Sequence, residues 1–313
     1  MNKRDALLSV LESSKPQEYV PAAFFTHFPP EYHGGQAAVE KHLEFFRFTG
    51  MDFIKIQYER KFPPVPQIRR PEDWAKIPFY DLEFYEPQLQ AVEGLVKAAK
   101  SEALVLCTLY SPLMCAGHTT SHETVTAHLS EDPDAVAKGL ERITESLRLF
   151  VRECIRLGVD GFYHSTQGGE AGRFPHPGIF RDFIKPFDLS LMEEINQKCP
   201  FNILHVCDYH GGYDDLTPFL DYPGHVVNAP LVVDGQPLSG QEIARLFGRP
   251  FMGGMDRLGI LATGTEEEVR AEARRVLLQA PSPFILAADC TVPPGTPWEN
   301  LRAAIDEAHR ARA

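Results

Sequence analysis

Eight short runs of apolar, β-branched and aromatic residues punctuate the chain: YVPAAFFTHF (19–28), MDFIKIQY (51–58), ALVLCTLY (103–110), VDGFYHST (159–166), FNILHVC (201–207), HVVNAPL (225–231), PFMGGMD (250–256) and PFILAADC (283–290). Runs this short, bounded by Gly, Pro and Asp, suit buried strands. After them come stretches at 36–49, 85–100, 134–158, 178–198, 213–221, 239–248, 265–280 and 297–310, several with the i, i+3, i+4 apolar spacing of a helix. In the third, Pro133 and Asp134 open the helix and Gly158 closes it. The fifth and sixth, YDDLTPFLD and SGQEIARLFG, are short. Eight strands, each followed by a helix, predict an α/β protein built as a closed (β/α)₈ TIM barrel. No repeat, low-complexity stretch or linker divides the chain, so one domain is expected over 1–313. A helix within residues 1–18 precedes the barrel, with Leu7, Leu8 and Leu11 on one side. A doubly wound open sheet is the alternative, but no G-x-G-x-x-G follows the first run.

Charge narrows the partners. Against 31 basic residues stand 43 acidic ones, a formal charge of −12, and no Lys/Arg cluster forms a nucleic-acid footprint. The N-terminal stretch lacks the apolar core and cleavage site of a signal peptide. No apolar run approaches the ~18 residues that span a bilayer. The six cysteines are scattered, which suits reduced thiols in a cytoplasmic protein.

In a barrel of this kind the chemistry sits at the C-terminal strand ends. There the sequence places His27, Gln57, Tyr58, Thr108, Tyr110, His164, Gln167, His205, Cys207, Asn228, Asp256 and Cys290. Strand residues i and i+2 project the same way, so His205 and Cys207 face the mouth together. Cys290 ends the eighth run and converges on the same mouth. One imidazole with two thiolates favours zinc over calcium or magnesium, and three protein ligands leave a fourth position open, as in a catalytic site. Cys154 and Cys199 are expected to be packing residues, as are Cys107 and Cys115. His210 reads as a loop residue.

LHVCDYHG (204–211) and DCTVPPGTPWENLRAAIDEAH (289–309), with TGMDFIKI (49–56) and GVDGFYHSTQGG (158–169), resemble the uroporphyrinogen decarboxylase superfamily. More narrowly, the sequence looks like its zinc-dependent branch of methylcobalamin:coenzyme M and corrinoid-linked methyltransferases. It implies a (β/α)₈ barrel with His205, Cys207 and Cys290 as zinc ligands. A methyl group would pass between a corrinoid and a small thiol or methoxy substrate activated on zinc. The corrinoid would be free methylcobalamin or sit on a partner protein, since no Asp-x-His-x-x-Gly motif is evident here. A homodimer occurs in the superfamily. The segment PAAFFTHFPPEYHGG (21–35) has no arginine, whereas the decarboxylases carry an arginine-rich segment there for a polycarboxylate substrate.

Around this centre, Asp256 and Glu170 are candidates for a fourth ligand or for orienting His205. His164, Gln167 and Tyr110 are expected to line the pocket, and Asn228 to orient the substrate. His27 and His33 fall in the first loop, where Gly34 and Gly35 suggest a lid. Two other readings stay open: a non-catalytic zinc- or ligand-binding barrel, and a metal-free lyase using Asp52 or another mouth carboxylate.

Overall fold

The computed structural model describes residues 2–12, 17 and 19–311. Of the expected N-terminal helix, α1 covers Lys3–Ser9, capped by the Asn2 side chain accepting from Arg4 N. Residues 1, 13–16 and 18 of that expectation lie outside the described residues.

The elements then run α2 Gly35–Thr49, β1 Phe53–Ile56, α3 Leu82–Ala99, β2 Leu104–Tyr110, α4 Pro112–Thr119, α5 His122–Glu131, α6 Pro133–Leu157 and β3 Gly161–Thr166. They continue with α7 Gly178–Phe183, α8 Lys185–Lys198, β4 Ile203–Val206, β5 Val226–Asn228 and the two-residue strands β6 Val232–Val233 and β7 Gln236–Pro237. The chain ends with α9 Gly240–Phe247, β8 Phe251–Met255, α10 Ile260–Thr263, α11 Glu266–Gln279, β9 Phe284–Ala288 and α12 Trp298–Arg310. No helix among the described residues is long and apolar enough to cross a membrane.

The main sheet is parallel, in the order β1-β2-β3-β4-β5-β8-β9. It is a curled, TIM-like sheet of seven strands, not the closed eight-stranded barrel expected. The difference lies in the first run, 19–28, which is extended but forms no ladder. Among the described residues only isolated bridges join it to β9 and the segment beyond, Ala22 to Leu286 and Thr26 to Val292. Pro21 cannot donate, so it contributes only its carbonyl, which accepts from Leu286 N at 2.9 Å. Towards β1 there is one backbone bond, Asp52 N to Ala22 O at 3.0 Å, while the Gln57 side chain donates to Thr26 O at 2.9 Å.

The helices follow their local chemistry. α6 opens as expected on Pro133, with Asp132 accepting from Ala135 N, and closes on Gly158 at φ 98°, a left-handed position. The expected single helix 178–198 is two, because Pro186 has no N–H to continue the ladder and the chain turns at Ile184. The expected fifth helix is only a 3-10 turn, Thr217–Phe219, whereas the sixth is a proper α9 with a Ser239–Glu242 capping box. In β8, Gly254 (φ 100°) lies where an added Cβ would stand 2.4 Å from Val276.

Asp52 stands at the foot of β1, away from the mouth where the lyase reading would need it. Its fully buried carboxylate accepts from Tyr19 Oη (2.6 Å) and Ala22 N (2.7 Å) and pairs with His309 Nε2 (2.8 Å). It thereby ties the first run to α12. Asp52→Ala is expected to lower stability by about 3 kcal/mol, since a buried charge network loses its centre. Urea denaturation monitored by circular dichroism measures it; a loss below about 1 kcal/mol would mean that the sheet bridges alone hold the first run.

Candidate metal centre

The mouth of the curled sheet holds a cavity of about 530 Å³. Strand alternation decides what faces it. From β1 and the residue beyond come Lys55, Gln57 and Glu59; from β2, Thr108 and Tyr110; from β3 and beyond, Tyr163, Ser165 and Gln167; from β4 and beyond, His205 and Cys207. Cys290, after β9, completes the wall.

His205, Cys207 and Cys290 offer ligand atoms that all lie within 4.8 Å of one another. Cys290 Sγ is 3.4 Å from His205 Nε2. Two ligands of a tetrahedral zinc, each about 2.0–2.3 Å from the ion, stand about 3.3–3.8 Å apart, so the Cys290–His205 edge has the length a zinc ion needs. His205 Nδ1 is buried without a hydrogen-bond partner among the described residues. That orphaned nitrogen and the soft donor set both fit zinc.

The supports of the trio are also visible. The His205 ring lies 4.9 Å from the Tyr163 ring, tilted 30° to it. Tyr163 Oη donates to Asn228 Oδ1 (2.7 Å), and Asn228 Nδ2 donates to Met252 O and Ala288 O. Gln167 Nε2 donates to Cys207 Sγ at 3.5 Å, and Cys207 N to Thr166 O at 3.0 Å. The Cys290 thiol donating to the Cys207 sulfur holds Cys207 well below the usual thiol range, and the same bond pushes Cys290 up.

Of the other residues expected at the site, Tyr110, Gln167 and His27 line the cavity; His164, Asn228, Glu170 and Asp256 do not. His164 lies between the inward residues Tyr163 and Ser165 and so points to the outer face of β3, where burial drives its imidazole down to about 3. Asn228 carries Tyr163 instead of meeting the cavity. Glu170 is spent within its own loop, accepting from Gly168 N and pairing with Arg173, both at 2.8 Å. Asp256 is exposed and accepts from Leu258 N. His33 and His210 both line the cavity, the latter against the expectation of a plain loop residue. Tyr58 points outward, packing 5.4 Å from the Tyr110 ring.

Sequence reasoning missed several lining residues. Lys55 interrupts the apolar run FIKI, and a cation in the middle of a buried strand was the signal to notice. Its Nζ donates to Gln57 Oε1 (2.7 Å) and stands 4.6 Å from the Phe25 and Tyr163 ring centroids. No carboxylate lies within ion-pair distance of it among the described residues, and burial lowers its pKa to about 7. Glu59 carries His27: Oε1 is 2.7 Å from His27 Nδ1, and although burial pushes the carboxyl up, that bond together with the charges of His27, His33 and Lys61 leaves it lowered. His118 and His122, from α4 and the start of α5, are held at about 4 by burial and are neutral at neutral pH.

A family model described as Uroporphyrinogen decarboxylase (URO-D) matches residues 49–311. No curated protein matches. Among solved structures, a methyltransferase from Methanosarcina mazei is 17% identical with a TM-score of 0.75, covering 98% of each chain. A B12-independent methionine synthase from Shewanella sp. W3-18-1, in complex with selenomethionine, is 12% identical with a TM-score of 0.56, covering 93% of this chain and 97% of that one. At these identities the likeness is one of fold.

The buried lysine gives a signed prediction. Because its folded pKa is about 7 against an ordinary 10.5, the unfolded chain holds the proton more tightly between those values, and stability rises as pH climbs from 7 to 10.5. Lys55→Met is therefore expected to stabilise the metal-free protein by roughly 2–5 kcal/mol at pH 7 and below, an advantage that shrinks towards pH 10.5. Denaturation curves at pH 6, 8 and 10 measure it; a variant less stable than wild type at pH 6 would rule out an uncompensated buried cation.

Proposed function

From the premise that this chain belongs to the uroporphyrinogen decarboxylase family, we propose that it is a zinc-dependent methyltransferase. It would move a methyl group between a corrinoid, free or on a partner protein, and a small thiol or methoxy substrate. The observation that carries this reading is the convergence of His205, Cys207 and Cys290 on one wall of the mouth cavity. The Methanosarcina mazei methyltransferase supports it as a protein of similar fold that bears the activity in its description.

His205, Cys207 and Cys290 would hold the ion, and the cavity offers space beside them for a fourth, exchangeable group. When bound, zinc ionises a substrate thiol that is otherwise only a few per cent ionised at pH 7, or polarises a methoxy oxygen. The chain's own residues do the rest. Gln167 steadies the Cys207 sulfur, and Tyr163 and Asn228 fix the His205 plane. Tyr110, Gln167 and His27 border the substrate space, with His27 oriented by Glu59 through Nδ1. The rim carries Tyr209 and Leu258, 72% and 63% exposed. Large exposed apolar groups of this kind suit the approach of a broad macrocycle at the open mouth.

A decarboxylase for a polycarboxylate is a poorer fit. Among the described residues the cations lining the cavity are Lys55, Lys61 and Arg257, and Arg257 already serves two carboxylates.

The test is metal content followed by methyl transfer. Wild type purified without chelator is expected to hold about one zinc per chain. Cys290→Ser should lose it or hold it far more weakly, and the buried Cys154→Ser control should keep it. Zinc-loaded wild type should then methylate a small thiol from methylcobalamin, and Cys290→Ser should not. Absence of zinc from wild type, or zinc indifferent to Cys290, would overturn the reading.

A further inference from the structure

The two cysteines come from strands that are not neighbours. In the sheet β5 and β8 stand between β4 and β9, so no backbone ladder sets the distance from Cys207 to Cys290. Yet each cysteine is flanked by an aspartate, Asp208 after Cys207 and Asp289 before Cys290. Arg257, from the loop after the intervening β8, reaches both: its Nη1 lies 2.9 Å from Asp208 Oδ1 and 2.7 Å from Asp289 Oδ2. The backbone joins in, since Asp289 Oδ1 accepts from Arg257 N (2.8 Å) and Cys290 N (3.1 Å), and Asp289 N donates to Met255 O (3.0 Å). The arginine side chain is only 13% exposed and the two carboxylates 22% and 10%, so the cluster is shielded from most screening.

We propose that Arg257 is a positioning residue for the metal centre, a strut that sets the spacing of the two thiol-bearing loops by holding Asp208 and Asp289 together. This rests on the metal reading above. The alternative, that the triad is a general stabiliser of the mouth, differs in what it predicts. A strut changes the affinity and geometry of the ion bound by the folded protein, beyond whatever stability is lost when two largely buried carboxylates lose their arginine. A stabiliser lowers the thermal midpoint but leaves the ion bound by the folded protein with wild-type affinity and geometry. Arginine suits the task because its planar fork keeps its charge and offers several donors in fixed directions, whereas an ammonium is a single point on a flexible stem.

The probe is zinc alone, titrated into the metal-free full chain against a chromophoric chelator, with cobalt(II) substitution as a spectroscopic check on geometry. Arg257→Gln is expected to weaken zinc binding roughly 10–100-fold, in the range seen when groups supporting metal ligands are removed. The ligand-field bands of the cobalt protein should shift, and zinc affinity, measured at a temperature where the metal-free variant is folded, should fall beyond what any drop in its thermal midpoint explains. Arg257→Lys should fall between the two. Arg270→Gln, which breaks an ion pair between α11 and α12, should bind zinc as wild type does. If Arg257→Gln does not fold, Asp208→Asn tests the same span, because it cuts the strut on the Cys207 side and leaves the Asp289 pair intact. Zinc affinity within threefold of wild type in Arg257→Gln, or in Asp208→Asn where the former does not fold, with unshifted cobalt bands, overturns the strut while leaving the metal reading standing. Failure of wild type to bind zinc at all overturns both.

Discussion

The approach of Cys207 to Cys290 is the contact on which the mouth of this protein is organised, and it is a contact the sheet alone does not make. A parallel ladder fixes neighbours about 4.8 Å apart, but these thiols sit at the ends of strands separated by two others. Only the curl of the sheet brings them together, and the shorter the curl's radius the more strongly the inward side chains crowd. That is why the inner positions near the site are flat or slender: Tyr163 laid against His205, Gln167 against Cys207, Ser165 and Thr108 between. The second coordinate, the distance between loops, is left to side chains, and the charged cluster around Arg257 supplies it.

Polar groups in the cavity divide into those already satisfied and those that are not. Arg257 with its two aspartates forms a closed set at 2.7–2.9 Å, so a ligand gains little from it. Lys55 and His205 Nδ1 are open: one has a single side-chain acceptor and two aromatic rings, the other no partner among the described residues. Burying an unsatisfied or uncompensated group costs stability, and such costs persist where a bound species offsets them. The open groups and the thiols share one cavity, which is the physical sense in which the cavity is a site and not only a gap in packing.

Much of this was legible in the sequence, and the failures have a common cause. Seven of the eight expected strands are strands, and the convergence of His205, Cys207 and Cys290 follows from i, i+2 alternation in His205-x-Cys207 plus the end of the last run. The same rule, applied one strand earlier, would have separated His164 from Gln167, since residues three apart face opposite sides. Glu170 and Asp256 were chosen for their charge near a strand end, but loop carboxylates are commonly consumed by nearby N–H groups, as Gly168 and Leu258 consume these. The first run failed as a ladder because Pro21 removes a donor, a local fact present in the sequence. What no single-sequence pattern carried was the partnership of Arg257 with Asp208 and Asp289, which depends on three loops distant along the chain.

The division of labour between Asp52 and the mouth follows from polarity of the strands. Both ends of this sheet carry buried networks centred on carboxylates, yet they differ in what they leave over. At the foot, Asp52 takes three donors and offers nothing outward, joining the first run to α12. At the mouth, the aspartates beside the cysteines are bound up with Arg257, while the sulfurs meet only Gln167, His205 and each other, and His205 Nδ1 has no partner among the described residues. Hard oxygen donors are therefore neutralised in structural pairs while soft donors are left exposed to the cavity. The oxygens that a magnesium or calcium ion would need are already engaged there, so the donors left facing the cavity are nitrogen and sulfur.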